Sequence, residues 1–135
     1  MNELPETNAA EAQRWLGQAD EELRTANRIA SDAELPARIA CFLAHLAVEK
    51  SLKACLINLG MAFTKVHDLG DLRALLPTGV VDIADEDLEL LNPWAIEGRY
   101  PGDVMDATRQ EAQACVQAAQ RVTSSVQAAL KSSDE

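Results

Sequence analysis

Apolar residues recur along the chain at the three- and four-residue intervals of helix faces, and five segments carry the pattern. The first predicted helix begins near Thr7 or Asn8 and runs to about Ala30. Trp15, Leu16, Ala19, Leu23, Ala26 and Ile29 or Ala30 fall on one face of it, with charged residues on the other. A short acidic link, SDAELP, ends at Pro36, and proline suits the first turn of the next helix because that position needs no donated hydrogen bond. The second helix spans roughly Ala37 to Leu59 and is apolar on two sides. Ile39, Phe42 and Leu46 form one stripe; Cys41, Val48, Leu52, Cys55 and Leu59 form another. A helix of this kind belongs at the centre of a fold, and Gly60 stands where a left-handed stop is expected.

Three further helices are expected. In VHDLGDLRALLP, His67-Asp68 starts a short helix whose Leu69, Leu72 and Leu75 or Leu76 face inward until Pro77 halts it. A fourth runs from Asp85 to about Glu97: Asp85, Glu86 and Asp87 suit a helix N-terminus, Leu88, Leu91 and Ile96 can pack, and Asn92-Pro93 predicts a kink. Proline pushes Tyr100 toward extended geometry and Gly102 permits a turn, so Arg99 to Asp103 read as loop. The last helix covers about Val104 to Lys131, repeating Ala107, Ala114 or Cys115, Ala118, Val122 and Val126. Short links imply antiparallel neighbours. The expected fold is therefore all-α, an up-and-down antiparallel bundle of about five helices in a single domain with its core at about residues 8–131.

Composition supports this: 47% of residues are hydrophobic but only 4% aromatic, and Ala, Leu, Glu and Gln dominate, as in packed helices. The formal net charge of −10 argues against a protein that coats nucleic acid non-specifically, since that affinity comes from many Lys and Arg contacts releasing counterions. It leaves room for a local basic site, whose potential depends on the charges that line it. Cys41, Cys55 and Cys115 show no CxxC spacing and read as reduced core thiols. Cys41 and Cys55 lie about 21 Å apart along one helix, too far for a disulfide. A reducing cytoplasm fits. No stretch is apolar enough to span a membrane, and the N-terminal residues lack the basic start and apolar centre of a signal peptide, so a soluble cytoplasmic protein is expected.

The chemistry-bearing residues concentrate in CFLAHLAVEKSLKACLINLG, from Cys41 to Gly60. At 100° per residue, Arg38, His45 and Glu49 fall within about 40° of one another and Lys53 about 40° further round. One reading is a solvated edge, with Glu49 and Lys53 in the favourable acid-then-base order. Another is a catalytic pair, Arg38 offering paired donors to a phosphate and His45 moving protons. His67 either interacts with its own helix start or leans toward a ligand. Arg99 near a helix C-terminus suits the dipole, and Tyr100 can close the core. The phosphate-binding, dinucleotide and zinc signatures GxxxxGK[ST], GxGxxG and HExxH are missing, so neither a metal nor another cofactor is expected.

These segments carry a resemblance. CFLAHLAVEKSLKACLINLG, then HDLGDL, then WAIEGRYPGD is similar in order and spacing to the HEPN domain family, whose members show CFHAQQAAEKALKA, a later His-Asp-Leu or His-Ser-Leu, and RYP. The likeness extends from about Trp15 to Val126. It implies an α-helical bundle, commonly a homodimer, linked to nucleotide or single-stranded RNA binding and often paired with a minimal nucleotidyltransferase in toxin–antitoxin systems. By this resemblance Glu49, Lys50 and Lys53 match the polar set of EKALKA, His67 the histidine before the short helix, and Arg99 and Tyr100 the RYP segment. Together they are the expected ligand-binding residues, with Tyr100 stacking on a base and the cations holding phosphate. Where many relatives carry His-Ala-Gln-Gln, this chain has Leu43, Ala44, His45 and Leu46.

Many relatives are metal-independent ribonucleases with an Arg and a His separated by four to six intervening residues, the His helping the 2′-hydroxyl attack while the Arg steadies phosphate charge. Arg99 is followed at those distances by Val104, Met105 and Asp106, whereas Arg38 and His45 satisfy the spacing but lie in the central helix. The leading expectation is thus a nucleotide- or RNA-binding protein. The alternatives are a metal-independent endoribonuclease using Arg38 and His45, and a non-catalytic module that binds a nucleotidyltransferase.

Overall fold

The computed structural model describes residues 7–95 and 106–133. Among the described residues the chain forms five α-helices and no strand: α1 (Asn8–Ala30), α2 (Ala37–Asn58), α3 (Leu69–Leu75), α4 (Asp85–Leu91) and α5 (Arg109–Ser133), with a 3₁₀ turn at Asn92–Trp94 after α4. No helix there is long and apolar enough to cross a membrane. The all-α bundle matches the sequence expectation.

Local chemistry accounts for the helix ends. The Thr7 hydroxyl accepts from the Ala10 N–H at 3.0 Å and starts α1. Pro36 is the N-cap of α2 rather than its first-turn residue. At the other end of α2, Gly60 adopts φ 71°. Its N–H bonds to the Ile57 carbonyl and that of Met61 to the Leu56 carbonyl, both at 2.9 Å, which satisfies two carbonyls that the helix leaves open. Asp68 caps α3 by accepting from the Asp71 N–H at 3.0 Å.

Two helix boundaries differ from the pattern-based expectation. The fourth helix ends at Leu91, not near Glu97, because Pro93 has no N–H to continue the ladder and the chain tightens into the 3₁₀ turn before Ala95 turns extended. The last helix begins at Arg109 rather than Val104. Its start is set by a reciprocal cap in which Thr108 Oγ1 accepts from the Glu111 N–H at 3.0 Å and Glu111 Oε1 accepts from the Thr108 N–H at 3.1 Å. Ile96, Glu97, Val104 and Met105 lie outside the described residues.

The core gathers around α2, against which α1 and α5 both pack. Small side chains dominate these faces: Ala12, Ala19 and Ala26 on α1, Ala40, Ala44 and Ala47 on α2, Ala112, Ala118 and Ala119 on α5 are all buried. Alanine keeps helix propensity high and lets neighbouring helices approach closely. Cys41, Cys55 and Cys115 are buried and unbridged, as expected for core thiols. Of the two apolar stripes on α2, the one containing Cys41, Val48, Leu52 and Cys55 is in the core, although Leu59 is exposed. The stripe of Ile39, Phe42 and Leu46 stays half-buried.

Arginines tie the short elements to this frame. Arg121 on α5 donates twice to the Asp87 carboxylate on α4, at 3.1 and 2.7 Å. Arg109 donates to the Ile29 and Leu35 carbonyls, closing the end of α1 and the link after it. Two substitutions test the boundary chemistry in urea unfolding. Thr108→Ala is expected to cost about 1 kcal/mol through loss of the cap. Gly60→Ala is expected to cost about 1–2 kcal/mol because a Cβ opposes the left-handed backbone. Unchanged midpoints in both would contradict these assignments.

Candidate functional site

The exposed side of α2 faces a cavity of about 690 Å³, lined by Phe42, His45, Leu46 and Glu49 of α2, by His67 and Asp68 ahead of α3, and by Asn92 and Ala95 beyond α4. Phe42, His45, Leu46 and Glu49 share the cavity because steps of three and four residues return to the same helix face. The opposing wall comes from two segments distant in sequence. They are pinned to each other by Asn92, whose Nδ2 donates to Asp68 Oδ2 at 2.7 Å and whose Oδ1 accepts from the Leu69 N–H at 3.2 Å.

Glu49 is the electrostatic centre of the site. Its Oε2 accepts from Lys53 Nζ at 2.9 Å and lies 3.2 Å from His67 Nδ1. Its Oε1 stands 3.5 Å from His45 Nε2, a loose contact in which that nitrogen makes no hydrogen bond. Burial by itself would raise the Glu49 carboxyl, but the neighbouring His45, Lys53 and His67 outweigh it and hold the group down at about 2. Asp68 is also lowered, chiefly by the Asn92 amide and then by the Asp71 N–H.

The cation at the centre of the cluster is buried as well. Lys53 is 6% exposed, with its Nζ on Glu49, 3.2 Å from His67 Nδ1 and 5.6 Å from the centre of the Phe63 ring. Phe63 is set by an edge-on contact with Trp15 of α1. A buried ammonium is tolerable only with a charge partner and further polar or aromatic contacts, and Lys53 has all three. Lys53 can only donate, so when it bonds to His67 that Nδ1 must be the acceptor; when His67 Nδ1 carries a proton it points to Glu49 instead. His45 Nδ1 lies 3.0 Å from the Leu91 carbonyl, and because a carbonyl only accepts, Nδ1 is the protonated nitrogen.

The structure therefore brings together Glu49, Lys53, His67 and His45. It does not bring Lys50 with them. One residue on from Glu49, and so about 100° round the helix, Lys50 turns to α1, where its Nζ donates to Gln18 Oε1 at 3.2 Å and pairs with Glu22. Arg38 is half-buried and does not line the cavity, and no hydrogen bond or ion pair joins it to His45. Arg99 and Tyr100 lie outside the described residues. Two kinds of cavity residue went unread as site residues. Phe42 and Leu46 look like core in a helical pattern. Asp68 and Asn92 were visible only as a helix-start acid and a pre-proline asparagine. Among the described residues, no group of three or more His, Cys, Asp or Glu is placed to hold a metal ion.

Fold and cavity define a helical-bundle protein with a polar-floored pocket beside its central helix. The HEPN domain family model matches residues 12–129. The chain is similar to TT1696 from Thermus thermophilus in its crystal structure, with 31% identity over 87% of this chain and 97% of that one and a TM-score of 0.73. It is similar in fold to ST0689, an archaeal HEPN homologue, with 21% identity, 88% and 97% coverage and a TM-score of 0.66. No curated protein matches it. The chain belongs to the HEPN domain family.

The lowered Glu49 carboxyl makes stability depend on pH. Between its ordinary 4.5 and about 2, the unfolded chain binds a proton that the folded chain does not. Stability from this group is thus present above that window and is lost as pH falls through it. The wild type is expected to lose on the order of 3 kcal/mol more than Glu49→Gln across this window, read from urea unfolding at several pH values. Parallel losses in the two proteins would contradict the cluster's charge assignment.

Proposed function

We propose that this HEPN-domain protein binds a nucleotide, free or as one unit of single-stranded RNA, with the base in the cavity beside α2. The observation that carries this reading is the make-up of that cavity. Phe42, Leu46 and Ala95 supply apolar surface for a flat ring, while Glu49, His67, Asp68 and Asn92 supply polar groups at its floor and rim. Ala95, which lines the cavity, is four residues before Arg99 in the sequence. Arg99 and Tyr100 keep the ligand-binding role that the family resemblance implies. Lys50 has no part in this reading, because Glu22 and Gln18 hold it on α1.

The geometry favours binding over cleavage by the Arg38–His45 pair. His45 is 1% exposed, and its Nδ1 is committed to the Leu91 carbonyl. The family resemblance adds a setting: a homodimer acting as one component of a HEPN/nucleotidyltransferase toxin–antitoxin pair. In that setting the nucleotide site and the partner-binding surface belong to the same bundle.

Titration of the protein with labelled mononucleotides and short single-stranded RNA at low salt tests the reading. Wild type is expected to bind, with Phe42→Ala weakening binding about tenfold through loss of the ring contact. Lengthening the RNA beyond a few nucleotides should add little, because Glu49 and Asp68 line the cavity and few phosphates can be neutralised there. Absence of binding by wild type, or equal binding by Phe42→Ala, would remove the proposal.

A further inference from the structure

The polar groups around the cavity differ in the hydrogen-bonding capacity they have left. Asn92 is committed at both ends of its amide, to Asp68 and to the Leu69 N–H. His45 gives its Nδ1 proton to the Leu91 carbonyl. Lys53, the buried cation, is held by Glu49 and His67. Glu49 Oε1 has only its loose 3.5 Å contact with His45 Nε2, and that nitrogen has no hydrogen-bond partner. No hydrogen bond crosses this gap, so Oε1 is left open to a donor. A carboxylate that stays ionised well below neutral pH thus stands at the cavity floor with unused lone pairs. His67 keeps an Nε2–H when its Nδ1 accepts from Lys53, but no donor reaches Glu49 Oε1, and a ligand that completes the carboxylate must bring one.

We infer that the cavity selects guanine, whose neighbouring N1–H and N2–H₂ groups pair with the Glu49 carboxylate while Phe42 and Leu46 lie against the ring. This rests on the nucleotide reading above and narrows it. Guanine is the one standard base that presents two adjacent donors on its pairing edge. Adenine and cytosine place a ring-nitrogen acceptor next to their amino donor, and uracil has a single N–H between two carbonyls. Each of those sets an acceptor lone pair against the carboxylate, and a buried polar group left unpaired in this way is costly. Asp68, on the same rim, adds further acceptor character and no donor.

Competition binding on the wild-type protein with GMP, IMP, AMP and UMP tests the inference. GMP is expected to bind about tenfold more tightly than IMP, which lacks the 2-amino group, and at least as far ahead of AMP and UMP. Glu49→Gln should bring GMP and IMP close together. Because that variant also leaves Lys53 without its charge partner, the GMP–IMP comparison in wild type decides the matter if the variant does not fold. Equal affinity for all four nucleotides would overturn guanine selection and leave nucleotide binding standing. Failure to bind any of them would overturn both. Binding of arginine amide as tightly as GMP would assign the floor to a guanidinium group and also overturn the inference.

Discussion

The interaction on which the rest depends is the buried pairing of Glu49 with Lys53. An ammonium 6% exposed in the middle of the central helix is admissible only because a carboxylate one turn earlier accepts from it at 2.9 Å. That requirement propagates. Glu49 must remain charged, so it collects His67 from the segment ahead of α3 and stands near His45, whose other nitrogen is tied to the Leu91 carbonyl at the end of α4. One ion pair inside α2 is thereby joined to two short elements, whose own buried leucines, Leu69, Leu72, Leu88 and Leu91, pack them on the bundle. Those elements are the far wall of the cavity.

The same arrangement explains why the pocket carries the chemistry it does in a molecule with a net charge of −10. Lys53, the buried cation behind it, does not line the pocket and is already matched by Glu49, while Asp68 and Glu49 both line the open space. Such a floor attracts hydrogen-bond donors rather than phosphate. On the proposed reading the pocket takes the base of a nucleotide, with the anionic end directed elsewhere. Membership of the HEPN domain family supplies the bundle, while these particular side chains supply whatever selectivity this chain has.

Much of the bundle was legible in the sequence because helix ends carry local signals. Thr7, Gly60 and Asp68 each act through a backbone conformation or a cap that their own chemistry dictates. At the start of α5 apolar spacing points back to Val104, whereas the Thr108–Glu111 capping box, also a sequence signal, sets the first turn at Arg109. The site was legible only in part. Helical periodicity placed His45, Glu49 and Lys53 on one face, and the structure keeps them there. The family resemblance alone grouped Lys50 with them, whereas a one-residue step along a helix turns a side chain away, and Glu22 on α1 captures it. That His67, Asp68 and Asn92 would close over Phe42 and Leu46 follows from tertiary contacts that no periodicity encodes.

The most direct measurement is the titration of the Glu49 carboxyl carbon by NMR in selectively labelled protein. The account predicts a resonance that stays in the ionised range from neutral pH down to about pH 3.5 while the exposed glutamates titrate around it. A Glu49 resonance that moves with a midpoint near the ordinary 4.5 would mean that Lys53, His45 and His67 do not hold this carboxylate. The cavity floor described above would then not exist.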